Sequence, residues 1–306
     1  MYQEHFKLRE APFSLTPDPD YFYNYIGHQQ ALNVLLVALQ SGEGLIKITG
    51  EVGTGKTLLC RKLLAALTRD FQTAYLPNPL LKPFELYQAF AEELGIVIPN
   101  GITMHDLVKR ITGQLVDLRQ KNKKVVLCID EAQAMPKDTL EALRLFSNLE
   151  TEKHKLLQIV IFAQPELNIM LERSDLRQLR QRITFSYDLP ALDREAITGY
   201  VNHRLRVAGH EDGKLFDTAA LDAVYRSSRG IPRLVNILCH KALMVTYGQG
   251  RSAVDLSQVK MASRDTEDAT QISRSLLVGK SFNLTVGIIT LLEIVLIIYL
   301  LRSVLS

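Results

Sequence analysis

GEVGTGKT, Gly50 to Thr57, is preceded by the apolar run LIKIT (Leu45 to Thr49) and followed by LLCRKLLAAL (Leu58 to Leu67), whose apolar residues recur at helical spacing. A complete G-x-x-x-x-G-K-T pattern between a strand and a helix is a phosphate-binding loop in the context it requires. Its glycines let the backbone curl with amide N–H groups turned inward, and the positive end of the following helix adds to their field. The nucleotide-binding stretch therefore runs from Gly50 through Glu51, Val52, Gly53, Thr54 and Gly55 to Lys56, Thr57 and Leu58. Lys56 reaches the β- and γ-phosphates of a nucleoside triphosphate, and the Thr57 hydroxyl takes a Mg²⁺ coordination position. The expected ligands are ATP and Mg²⁺.

About 70 residues downstream, VVLCIDEA (Val125 to Ala132) is a buried-strand run ending in two carboxylates. An apolar strand has no need of acids beside it. Placed next to the strand that feeds the loop, it would bring Asp130 to the Mg²⁺ shell and Glu131 to a water poised for in-line attack. That pairing extends nucleotide binding to an expectation of hydrolysis.

Further strand signals lie at Gln72–Leu76, Leu157–Phe162 and Thr184–Leu189, with helical periodicity at Phe84–Leu94, Met104–Leu118 and Thr139–Leu149. Alternation of this kind predicts an α/β core over residues 41–190, a parallel five-stranded sheet with helices on both faces. Residues 1–40 read as a segment leading into it. After Pro190 the strand signals stop, so residues 191–261 read as a helical lid and residues 262–281 as a polar juxtamembrane linker.

The 306 residues carry a net charge of +3 with basic and acidic side chains interleaved, a balance too mild to imply a nucleic-acid partner. Cys60, Cys128 and Cys239 are odd in number and each lies in an apolar run, which reads as buried thiols in a reducing compartment. The histidines, His28, His105, His154, His203, His210 and His240 among them, show no metal-ligand spacing and read as surface or satisfied core residues.

FNLTVGIITLLEIVLIIYLL, Phe282 to Leu301, is long and apolar enough to cross a bilayer as a C-terminal transmembrane helix, leaving residues 302–306 as a short tail. Glu293 near its middle is either tolerated there or contacts another membrane helix. Arg264, Arg274 and Lys280 precede the span and only Arg302 follows, which places the nucleotide domain in the cytoplasm. The polar, proline-bearing N-terminus does not read as a signal peptide.

Taken together, GEVGTGKT, VVLCIDEAQ, LRLFSNLETEKHKLLQIVIFAQPEL, LRQLRQRI and GIPRLVNILCHKAL resemble the AAA+ ATPases of the ExeA / general secretion pathway protein A type, most nearly those of mannose-sensitive haemagglutinin (MSHA) pilus biogenesis. The resemblance covers most of residues 1–260. It implies that Gln164 is the sensor-1 residue that positions the attacking water and that Arg233 is the sensor-2 arginine. It also implies that Arg180 or Arg182, with Arg177 a third candidate, is the finger inserted into a neighbouring subunit's site. The implied protein is a homo-oligomer in the inner membrane that couples ATP hydrolysis to assembly of a type IV pilus or a type II secretion machine through other inner-membrane proteins. Longer members continue into a periplasmic peptidoglycan-binding region, whereas this sequence stops at Ser306, so direct peptidoglycan binding is not expected. The alternative is an ATP-dependent DNA-binding factor related to transposition helper ATPases.

Overall fold

The computed structural model describes residues 2–16, 18–150 and 155–269. In chain order the first elements are α1 (Tyr2–His5), α2 (Ile26–Ser41), β1 (Leu45–Thr49), α3 (Lys56–Ala66), β2 (Phe71–Leu76), α4 (Pro83–Glu93), α5 (Met104–Gln120) and β3 (Lys124–Ile129). They are followed by α6 (Lys137–Phe146), β4 (Gln158–Ala163), α7 (Glu166–Leu171), α8 (Arg177–Arg182), β5 (Phe185–Asp188), α9 (Arg194–Val207), α10 (Thr218–Ser228), α11 (Pro232–Gly248) and α12 (Leu256–Arg264). The chain divides into two units: residues 16–192 with 231–233, and residues 2–15, 193–230 and 234 onward.

The first unit is a parallel five-stranded sheet in the order β2-β3-β4-β1-β5. Its central strand, QIVIFA, is buried at every position, as a strand covered on both faces must be. Side chains alternate between two cores. Leu127, Ile129, Ile159 and Ile161 face α4, α5 and α6, while Val126, Cys128, Val160 and Phe162 face α2 and α3. At the start of α5 the Thr103 hydroxyl accepts the Asp106 N–H.

The strand carrying the acidic pair does not lie beside the strand feeding the loop. β4 is inserted between them, paired with β1 in the register Thr49↔Ala163 and with β3 in the register Ile129↔Ile161. Two strand spacings, about 10 Å, therefore separate β1 from β3. The insertion has a chemical consequence, because the residue that follows β4, Gln164, emerges between the loop and the acids.

The second unit is helical. α9, α10 and α12 each start on an aspartate whose carboxylate accepts a backbone N–H of the first turn: Asp193 from Ala196, Asp217 from Ala220 and Asp255 from Ser257. Residues 2–15, read from sequence as part of a lead into the core, group instead with these helices. Phe13 packs edge-on against Phe216, and the buried Arg204 guanidinium donates to the carbonyls of Pro12 and Ser14. Helical structure also continues past residue 261, since α12 ends at Arg264 and Ala262 and Ala269 are buried. The sequence linker therefore starts later than residue 262. The apolar stretch 282–301 with Glu293, the tail 302–306 and His154 lie outside the described residues. Among the described residues no helix is long and apolar enough to cross a membrane.

Candidate functional site: a phosphate loop, an acidic strand end and a glutamine between them

The loop leaves β1 anchored, with the Gly50 N–H donating to the Ala163 carbonyl of β4 at 3.2 Å. It then closes on itself, the Thr54 hydroxyl and N–H both donating to the Glu51 carbonyl. Gly53 and Gly55 stand at φ +82° and +97°, the left-handed region that side chains disfavour. Space demands glycine at both positions too. A Cβ at Gly53 would lie 2.4 Å from Arg233 Cβ, and one at Gly55 would lie 3.0 Å from His28 Nε2. Arg233, exposed itself, joins the loop through its backbone N–H, which donates to the Gly53 carbonyl at 3.2 Å.

These contacts give the first expected result. Gly53→Ala adds left-handed strain of about 1–2 kcal/mol and forces Arg233 off the loop. ATP affinity, titrated with a fluorescent analogue, should fall by at least about tenfold; wild-type affinity would show that Arg233 leaves without consequence.

Lys56 opens α3 and is buried. Its ammonium donates to the carbonyls of Gly50 at 2.7 Å and Glu51 at 3.0 Å, so it is held inside the curl of the loop. Burial pushes its pKa down, opposed by the carboxylates of Glu131, Asp130 and Glu51. One residue on, the Thr57 hydroxyl lies close to the Asp130 carboxylate, bringing the two motifs together across the width of β4. Burial raises the Asp130 carboxyl above its ordinary range, and the hydrogen bonds from Thr57 and the Glu131 N–H pull the other way. A buried carboxylate paired with a hydroxyl beneath an N–H-lined loop is a donor set suited to Mg²⁺ and a triphosphate.

Glu131 follows β3 in a left-handed conformation, φ 53° and ψ 39°, unusual for a residue with a side chain. Its Oε2 accepts the side-chain amide of Gln164 at 3.0 Å and the amide of Gln133 as well. The structure thus brings Lys56, Thr57, Asp130, Glu131, Gln164 and the backbone of Arg233 together. Arg180 and Arg182 are placed elsewhere, exposed on α8, whose Leu179 is buried in the core. Among the described residues neither arginine is in an ion pair.

Two residues of the site had no signal in the sequence. His28, on α2, is buried beneath the loop, and its Nε2 donates to the Thr54 carbonyl at 2.9 Å. Edge-on contacts with Phe22 and Tyr25 hold the ring, and burial depresses its pKa. Because its partner is a carbonyl, Nε2 carries a proton. Gln133 is the other, and its role needs the pairing of β3 with β4 to be seen. Cys60 and Cys128 lie together under the site as buried free thiols, the Cys60 thiol pushed up by its hydrogen bond with Cys128 and by burial. Among the described residues no group of three or more histidine, cysteine or carboxylate side chains could hold a metal.

A family model described as an AAA domain matches residues 39–171. The chain is 40% identical over 263 residues to general secretion pathway protein A of Aeromonas hydrophila, covering 86% of this chain and 48% of that one. It therefore spans about half the length of that curated relative. Among solved structures it is similar to Cdc6p from Pyrobaculum aerophilum, with a TM-score of 0.62 at 18% identity over 83% of this chain and 70% of the other. It is also similar to the Aeropyrum pernix ORC2 protein in its ADPNP–ADP complexes, with a TM-score of 0.56 at 17% identity over 82% and 72%. At such identities these two likenesses are of fold.

Proposed function

We propose that the chain is an AAA+ ATPase of the general secretion pathway protein A (ExeA) type, which it resembles in sequence, and that it hydrolyses ATP at the site built by Gly50–Thr57, Asp130 and Glu131. The observation that carries hydrolysis beyond binding is the side-chain amide of Gln164 donating to Glu131 Oε2. A carboxylate fixed on one oxygen keeps the other free to accept a proton from water, as a general base must. The loop amides and Lys56 would bind the phosphates. Mg²⁺, held by Thr57 and Asp130, would neutralise charge on the phosphate oxygens when bound.

In this reading Gln164 positions the water with Glu131, and Arg233 reports the γ-phosphate to the helical unit. Arg180 or Arg182 completes the pocket of a neighbouring copy, which makes hydrolysis depend on self-assembly. The protein is a single-pass inner-membrane protein anchored through residues 282–301, with the ATPase domain cytoplasmic. It serves assembly of an MSHA-type pilus or a related type II secretion machine through inner-membrane partners. The secretion function in the printed name of the Aeromonas relative and the apolar C-terminal stretch support this reading.

The test is ATP turnover by the full-length chain in detergent. The wild type should hydrolyse ATP, chelation of Mg²⁺ should abolish turnover, and Lys56→Ala should lose ATP binding, because the buried cation inside the loop is gone. Binding of ATP by Lys56→Ala at wild-type affinity would refute the site. Tight, salt-sensitive DNA binding stimulated by ATP would favour the DNA-binding alternative.

A further inference from the structure

Gln133 lies in the short turn Ala132–Ala134 that follows Glu131. Both ends of its amide are engaged. Its Oε1 accepts the backbone N–H of Gln164 at 2.9 Å, and its Nε2 donates to Glu131 Oε2. A backbone N–H can only donate, so the oxygen of Gln133 faces Gln164 and its nitrogen faces the carboxylate. Gln164 Nε2 donates to the same carboxylate oxygen at 3.0 Å, which closes a ring of three residues across the ends of β3 and β4.

We propose that Gln133 is a positioning residue for ATP hydrolysis, clamping Glu131 in its orientation and tying that orientation to Gln164. The inference rests on the reading of Glu131 as the water activator. Three observations converge on it. Glu131 holds a left-handed backbone at φ 53°, which costs a non-glycine residue about 1–3 kcal/mol and persists only where surrounding contacts enforce it. Two N–H donors converge on one carboxylate oxygen, leaving the other oxygen as the acceptor for water. The Gln164 N–H, the first beyond β4, is held by Gln133. Gln133 therefore bonds to both residues assigned to the water and, among the described residues, makes no hydrogen bond to the loop that binds the phosphates. A change at Gln133 acts on turnover and leaves nucleotide affinity alone.

Gln133→Met keeps the unbranched length of the side chain and removes both its donor and its acceptor. In the full-length protein, kcat should fall by about 10- to 100-fold, less than the loss of a general base itself, while affinity for a non-hydrolysable ATP analogue stays within about twofold. Gln133→Glu retains an acceptor for the Gln164 N–H but sets a second carboxylate against Glu131, so its loss should be at least as large. A readout without nucleotide accompanies these. In the nucleotide-free protein, Gln133→Met should lower Tm by about 2 °C, and by distinctly less in a Glu131→Ala background, because the clamp is already absent there. Wild-type kcat in Gln133→Met, or parallel loss of kcat and affinity, would overturn the proposal; so would additive Tm losses. Should the wild type show no hydrolysis, the function proposed for the site falls, while the melting cycle still reports on the clamp.

Discussion

Glu131→Gln should bind ATP as tightly as the wild type and turn it over about 10³-fold more slowly, within the range general-base catalysis contributes. The substitution is isosteric, and the surroundings explain why its effect should be confined to chemistry. Gln133 and Gln164 both donate to Oε2 of Glu131, and a carboxamide can turn its oxygen to the same two donors. The Glu131 N–H still donates to Asp130, and Thr57 stays beside that carboxylate. What changes is the group turned toward water: an amide nitrogen with no lone pair for a proton replaces a carboxylate oxygen. Equilibrium binding of an ATP analogue together with single-turnover hydrolysis separates the two steps. Turnover within a few-fold of the wild type would remove the assigned water activator, whereas lost binding would assign Glu131 to the phosphate cradle.

The loop, the acids and the five strands could be read directly because each is a local pattern. LIKIT, VVLCI and QIVIFA are apolar runs bounded by turn residues, and the observed strands begin or end within about a residue of the expected ones. The order of the strands is not local. Helical crossovers of this length accommodate either neighbour for β1, and nothing within VVLCIDEA announces that β4 will be inserted beside it. The partnership of Glu131, Gln133 and Gln164 depends on that insertion, so Gln133 carried no signal despite lying two residues from the acid. Helix α2 was hidden for another reason. It starts after Tyr25 without a side-chain cap, and the stretch before it, PFSLTPDPDYFY, has neither helical nor strand periodicity. His28 went unassigned with it. The grouping of residues 2–15 with the helical unit rests on packing and on bonds to Arg204, which no short window of sequence contains.

The second large effect concerns α8. Its sequence RQLRQR buries Leu179 and exposes Arg177, Arg180 and Arg182, so these cations stand on a surface with no ion-pair partner among the described residues. An arginine held ready for another copy needs such freedom. An arginine committed to its own fold would be paired, as Arg194 is with Asp222 at 2.6 Å. Replacing Arg180 and Arg182 together with alanine should lower kcat by about 10³-fold or more, the scale of an arginine finger, with ATP affinity preserved because neither side chain lies at its own loop. Specific activity of the wild type should rise with protein concentration. The single variants decide which arginine carries the effect, a choice the exposure of both leaves to experiment.

The most direct measurement mixes two inactive proteins. Lys56→Ala retains its arginines and lacks a working loop; the Arg180→Ala/Arg182→Ala protein retains its loop and lacks the finger. If the site is completed by a neighbour, co-assembly of the two restores ATP hydrolysis in the mixed particles, with cleavage in the pockets whose loops are intact. Demonstrated co-assembly with no recovered hydrolysis would contradict an ATP site shared between copies of this chain.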